Sequence, residues 1–123
     1  MEFSENKPIY LQIADRFCDQ ILNKKWTSEE RIPSVREVAV MMEVNPNTAI
    51  RAFHYLQEEE ILFNQRGVGY FVSEDAFEKV RELKRNEFIK QKLPVFVRDM
   101  KSLGFSFSEL DELYKKHYGR DSN

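Results

Sequence analysis

Residues 34–73 read SVREVAVMMEVNPNTAIRAFHYLQEEEILFNQRGVGYFVS, and each boundary in that stretch carries its own chemical signal. Ser34 can accept a bond from a first-turn amide, and Glu37, three residues on, can reach back to the Ser34 amide, which is a capping box. Val38, Ala39 and Met42 then recur at helical spacing and suit one buried face. A second helix opens at Asn45-Pro46. Asparagine is among the strongest N-caps, and proline at the first helical position gives up an amide that has no helical partner anyway. Only Glu43 and Val44 separate the two helices, so they cross steeply as a helix-turn-helix.

The second helix has two distinct sides. Ala49, Ala52, Phe53 and Leu56 fall on one, and Asn47, Ile50, Arg51 and His54 on the other. An isoleucine on the outward side is odd for a scaffold helix but suits contact with a thymine methyl group. A hairpin follows at once. Leu62–Gln65 and Tyr70–Val72 read as strands, joined by Arg66-Gly67-Val68-Gly69 with glycine where a positive φ is needed. The predicted fold class is mainly α with a small β-hairpin: a winged helix-turn-helix followed by a short helical tail.

Ile32-Pro33-Ser34-Val35-Arg36-Glu37-Val38-Ala39, Val44-Asn45-Pro46-Asn47-Thr48 and Gly67-Val68-Gly69-Tyr70-Phe71-Val72, in this order and spacing, resemble the N-terminal domain of the GntR family of bacterial winged-helix transcription regulators. The Asn-Pro-Asn-Thr turn and the short tail look most like its YtrA-type subfamily. With Pro8-Ile9-Tyr10 and the tail, the resemblance covers nearly the whole chain.

The resemblance implies double-stranded DNA as partner and points to particular residues. Arg36 matches the arginine of the Pro-Ser-x-Arg motif, where it would touch backbone or base edge; otherwise it is an exposed arginine in a first turn. Asn47 and Thr48 match the start of the recognition helix, whose amides and positive potential face phosphate, with Thr48 alternatively capping from within. At two positions where much of the family has arginine, this chain has Pro46 and Ile50, neither able to bond guanine. Arg51 still points outward and is the expected base reader, with phosphate contact alone as its alternative. Arg66 and Gly67 form the wing tip, where arginine suits a narrow minor groove or simply occupies a solvated turn. With Ser34 and Asn45 at the helix starts and Ile50 and His54 on the outward face, these complete the expected DNA-binding set. The family's glycines are replaced by Lys24, Glu29 and Glu60, which predicts turns of locally different backbone. Glu58-Glu59-Glu60 reads as a solvated helix end.

At 123 residues the chain has room for one small domain and an appendage. We expect a winged helix-turn-helix domain over residues 1–75 and a helical dimerisation tail over 76–123. No apolar run approaches a membrane span, and the acidic start MEFSENKP is no signal peptide. Cys18, the single cysteine, forms no internal disulfide and reads as a buried small hydrophobe; a cytoplasmic location is consistent with that and is expected. The net charge of −2 does not advertise a nucleic-acid binder. What counts is the face the arginines occupy, and Arg36, Arg51 and Arg66 fall on the helix-turn-helix and wing.

A helix is expected from Pro8 to about Lys24, with residues 1–7 frayed, and Trp26 anchors a connector running to Arg31. The tail carries an apolar stripe. Phe77, Val80 and Leu83 begin it, and after a change of phase Ile89, Leu93, Phe96, Val97, Met100 and Leu103 continue it. Pro94 must kink or split that helix. Gly104 ends it. Ser106 with Glu109 makes a second capping box, and Phe105 with Leu110 a hydrophobic staple. The last helix runs to about Tyr118 with Phe107, Leu110, Leu113 and Tyr114 inward, ahead of a loose end. Two such helices enclose no core, so the stripe packs on the winged helix, on itself or on a second copy. The resemblance implies the second copy: a homodimer through Phe88, Ile89, Phe96, Val97, Met100 and Leu103.

No Cys/His cluster has zinc-ligand spacing, no nucleophile-and-base arrangement is visible, and Gly67-Val68-Gly69 precedes a strand, unlike a dinucleotide fingerprint. No enzyme activity and no cofactor are expected. A small-molecule effector is left open, and no tight pocket is expected within one subunit. The function expected is sequence-specific DNA binding, as a repressor on an inverted-repeat operator; the alternative is a winged helix that binds protein instead.

Overall fold

In the computed structural model, which describes Phe3 and residues 6–119, the elements follow from local signals. Helix α1 spans Ile9–Leu22, α2 Val35–Met42 and α3 Pro46–Glu58. Strands β1 (Leu62–Gln65) and β2 (Gly69–Val72) form the antiparallel hairpin, with Leu62 opposite Val72 and Gln65 opposite Gly69. Helix α4 spans Ala76–Glu87, α5 Leu93–Ser102 and α6 Phe107–His117. A π-helical segment, Phe88–Lys92, joins α4 to α5. The mainly helical fold with one hairpin is that of a winged helix. The fraying expected at residues 1–7 and the loose end expected at 119–123 fall mainly outside the described residues.

The caps are those the sequence predicts. Ser34 Oγ accepts the Glu37 amide at 3.1 Å and Glu37 Oε1 accepts the Ser34 amide at 2.8 Å. Asn45 Oδ1 caps α3 through the Asn47 amide at 2.7 Å. The Ser106–Glu109 capping box opens α6 in the same way.

Two compact units divide at Leu83. In the first, Ile13, Phe17 and Ile21 of α1 pack with Val38 and Met42 of α2, Ala49, Phe53 and Leu56 of α3, and Leu62 and Val72 of the hairpin. Phe17 meets Phe53 edge-on at 5.3 Å and Trp26 at 5.0 Å, so Trp26 anchors the connector as expected. Cys18 is buried and free. Ala76 and Val80 are also fully buried in this core, so the first two turns of α4 belong to the winged helix.

The connector adds an edge to the hairpin that the sequence reading missed. Val72 and Glu30 pair through the Val72 amide (2.9 Å), and the Glu29 and Ile32 amides donate to Val72 and Tyr70 carbonyls at 2.7 and 3.0 Å. Arg31 thereby lies opposite Phe71.

Lys24, Glu29 and Glu60 take φ values of 61°, 65° and 61°. The expected departure in backbone is therefore corrected: these side chains accept the left-handed conformation that glycine favours. Glu43 does the same at φ 56°, closing α2 ahead of the tight turn.

In the second unit the proline acts as a divider. Pro94 lies in the first turn of α5, where its missing amide has no penalty. Its ring would collide with the carbonyl four residues back, and the ladder widens to π pitch over Phe88–Lys92 just before it. No described residue after Val80 is buried. The inward placement expected of Phe107, Leu113 and Tyr114 is corrected accordingly. They are 76%, 40% and 55% exposed, because this unit has no interior to receive them.

Candidate nucleic-acid interface

Helix α3 is the centre of the candidate site. Its inner face is closed: Ala49, Ala52, Phe53 and Leu56 are fully buried against α1 and α2. That burial fixes the roll of the helix, so Asn47, Ile50, Arg51 and His54 are left on the exposed face. Ile50 is 37% exposed. Thr48 is half-buried at the edge of the two faces.

The start of α3 differs from expectation in one respect. Pro46 has no amide, the Asn47 amide is taken by Asn45 Oδ1, and the Thr48 amide donates to the Asn45 carbonyl at 2.9 Å. The amides expected to face a phosphate are thus already satisfied. What remains at this end is the positive potential of the helix and the side chains of Asn45, Asn47 and Thr48.

Ser34 caps α2 and is half-buried, with its oxygen committed to the Glu37 amide. Arg36, two residues later, is exposed. The bonds from Ser34 hold the Glu37 carboxyl below the usual carboxylate range, with Arg31 adding a smaller pull in the same direction. Arg66 and Gly67 lie at the tip of the hairpin, both exposed, with Gly67 at φ 80° as a left-handed turn residue.

Two further residues lie outside the DNA-binding set expected from sequence. Arg31 packs across Gly69 at the base of the wing, its Nε 3.0 Å from where a Cβ would be. Tyr10, near the start of α1, lies under Arg51, whose guanidinium carbon is 4.1 Å from the ring centroid. The Arg31 contact depends on the unforeseen bridge between the connector and β2, and the Tyr10 contact on how α1 packs on α3. Neither leaves a periodic trace in the sequence.

The charges sort by place. Lys7 pairs with Asp15, Lys79 with Glu60 and Asp75, Lys84 with Glu87, and Lys115 with Asp111. Glu60 is thus a partner to Lys79, whose own charge the Glu60 hydrogen bond stabilises, and not only part of a solvated helix end. Among the described residues, Arg31, Arg36, Arg51 and Arg66 have no carboxylate within ion-pairing distance. Cations without an ion-pairing carboxylate on a helix-turn-helix and wing can neutralise phosphates.

The residues expected to pair two subunits all lie in the second unit. Phe88 and Ile89 are in the π-helical segment, Phe96, Val97 and Met100 on α5, and Leu103 just beyond its end. Met100 is half-buried and the others are exposed, Leu103 at 77%.

A surface cleft of about 320 Å³ is lined by residues that include Trp26, Pro33, Met41 and Met42. Arg16, Asp19 and Gln20 border the same cleft, and no buried side-chain polar atom among the described residues lacks a partner. No helix among them is long and apolar enough to cross a membrane.

A helix-turn-helix whose second helix has an exposed face, followed by a hairpin wing, defines a DNA-binding domain of a transcriptional regulator. The model of the bacterial regulatory proteins of the gntR family matches residues 9–72, and the chain belongs to that family. It is 40% identical to the HTH-type transcriptional regulator YhcF of Bacillus subtilis (strain 168), over 90% of each chain. It is 33% identical to the HTH-type transcriptional repressor YtrA of the same organism, over 89% of this chain and 83% of YtrA. Among solved structures it is similar to a transcriptional regulator of the GntR family from Bacteroides thetaiotaomicron. The TM-score there is 0.78 and the identity 42%, over 93% of this chain and 99% of that one.

Proposed function

We propose that the protein is a sequence-specific repressor that binds an inverted-repeat operator as a homodimer in the cytoplasm. The observation that carries this reading is the exposed face of α3 with Asn47, Ile50, Arg51 and His54, flanked by the unpaired arginines Arg36 and Arg66. The winged helix, with the first two turns of α4, binds DNA, and the unit after Leu83 pairs the subunits. Each α3 enters a major groove, and the dimer occludes polymerase. Arg51 donates two bonds to a guanine, and Ile50 meets a thymine methyl group. Arg36 and Arg66 grip backbone and minor groove. Repression is supported by the name of the relative YtrA. Pairing through the tail is supported by the exposed apolar residues there.

The net charge of −2 favours a second reading, a winged helix that docks on protein without touching DNA. Binding to duplexes selected from random DNA decides between them. The test uses a panel of single-base changes at several salt concentrations. Arg51→Ala should cost about 1–3 kcal/mol per half-site at one base pair and relax preference there. Arg36→Ala should weaken all sequences alike and reduce the salt slope by about one per half-site. If no duplex is selected, the protein-docking reading stands. If Arg51→Ala keeps full base preference, base reading passes to Asn47, Ile50 or the wing.

A further inference from the structure

Arg51 extends from the exposed face of α3, yet its guanidinium is not loose. Its central carbon lies 4.1 Å from the centroid of the Tyr10 ring, a separation typical of stacking. Tyr10 is held in turn. Its ring meets Tyr55 edge-on at 6.4 Å and 76°, and Tyr55 sits one turn further along α3 from Arg51. Tyr10 and Tyr55 are both half-buried against the core. The first turn of α1 therefore supplies a fixed platform beneath one side chain of α3.

We propose that Tyr10 is a positioning residue that sets the base preference of α3 through Arg51. This rests on the reading of Arg51 as the base contact. A stacked guanidinium uses its flat face, and its N–H donors, which lie in the plane, stay available. Those are the donors that match the O6 and N7 acceptors of guanine. A long arginine side chain loses rotamer freedom when it docks on a base; on the Tyr10 ring much of that freedom is removed before DNA arrives. The same ring limits the directions the donors can take, which narrows the choice of base. An exposed cation–π contact is worth roughly a two- to fivefold change in population, and the effect on binding should be of that size per half-site.

The test uses the full chain and a duplex selected by it from random DNA, with every position changed singly. Tyr10→Leu should lower affinity for the selected duplex roughly two- to fivefold per half-site and flatten preference at the base pair that Arg51→Ala flattens. Tyr10→Phe keeps the ring and loses only the hydroxyl, so it should retain both. In an Arg51→Ala background, Tyr10→Leu should add no further loss. A loss that persists in that background, or one that Tyr10→Phe shares, would show that Tyr10 acts on DNA or on the fold itself. A Tyr10→Leu variant with unchanged or sharpened preference would also overturn the proposal.

Should Tyr10→Leu not fold, proton–proton contacts between the Arg51 side chain and the Tyr10 ring can be followed by NMR in the unsubstituted protein. They should be present in the free protein and persist in the complex; their disappearance on binding would overturn the proposal. If Arg51→Ala itself leaves base preference intact, the proposal falls together with the reading beneath it. If Arg51→Ala flattens preference and Tyr10→Leu does not, only the role of Tyr10 falls.

Discussion

Arg31 crosses the base of the wing directly over Gly69, with its Nε 3.0 Å from the position a Cβ would occupy. Gly69 has φ +147°, a conformation that L side chains rarely adopt. Gly69→Ala should therefore strain the backbone by about 1–3 kcal/mol and push Arg31 off the strand edge. We expect a lower unfolding midpoint and a weaker, less salt-dependent grip on all DNA sequences, read by calorimetry and by binding at several salt concentrations. A variant with the stability and salt slope of the parent would show that neither the glycine nor the position of Arg31 matters.

The capping box at the start of α2 makes a pH prediction. The Glu37 carboxyl titrates below its ordinary 4.5 because the Ser34 amide and hydroxyl bond to it. A carboxyl with a lowered native pKa takes up a proton on unfolding in acid. Its stabilisation is therefore fully present above the unfolded value and is lost as pH falls through the lowered one. Glu37→Gln keeps an acceptor for the Ser34 amide and removes the titration. The fall in unfolding midpoint below about pH 4.5 should be shallower in this variant than in the parent, with little difference near pH 7. Identical acid profiles would mean that the bond does not survive in solution.

Much of the winged helix was legible because its boundaries depend on local chemistry. Ser34 with Glu37, Asn45 with Pro46, and Gly67 each act within a few residues, and each stands where the sequence put it. The exposed and buried faces of α3 were legible through helical periodicity for the same reason. Arg31 over Gly69 and Arg51 over Tyr10 were not, since both join segments far apart in the chain. The left-handed turns at Lys24, Glu29 and Glu60 were misread because side-chain identity alone suggested another backbone. Tertiary hydrogen bonds hold at least one of them: the Glu29 amide reaches the Val72 carbonyl at 2.7 Å. In the tail, periodicity marks an apolar stripe but not what covers it.

Glu43 offers a stability test of that strain. It closes α2 at φ 56° and ψ 47°, in the left-handed region, and its side chain is exposed. A non-glycine residue there costs about 1–2 kcal/mol, part of which glycine returns through its larger unfolded-state entropy. Glu43→Gly should raise stability by about 0.5–1 kcal/mol, seen as a higher denaturation midpoint with an unchanged denaturant slope. A lower midpoint would mean that the turn is not under strain.

The last prediction concerns the tail. Phe96 on α5 is 47% exposed, and Phe88, Ile89, Val97 and Leu103 of the same unit are exposed as well. If these residues pair two subunits, Phe96→Lys should break the pair by placing a charge where apolar surface is buried. Removing the tail is a poorer test, since a cut after Ser73 also takes Ala76 and Val80 out of the winged-helix core. Phe96 contributes nothing to that core, so the unfolding midpoint of the winged helix should stay near that of the parent. Light scattering should give a dimer for the parent and a monomer for the variant. A dimer grips the second half-site at high effective concentration, an advantage of about 10²-fold or more that a monomer lacks. The variant should therefore bind a full inverted repeat little better than a single half-site, whereas the parent should prefer the repeat strongly. A Phe96→Lys protein that remains dimeric at micromolar concentration would move the interface away from this row of residues.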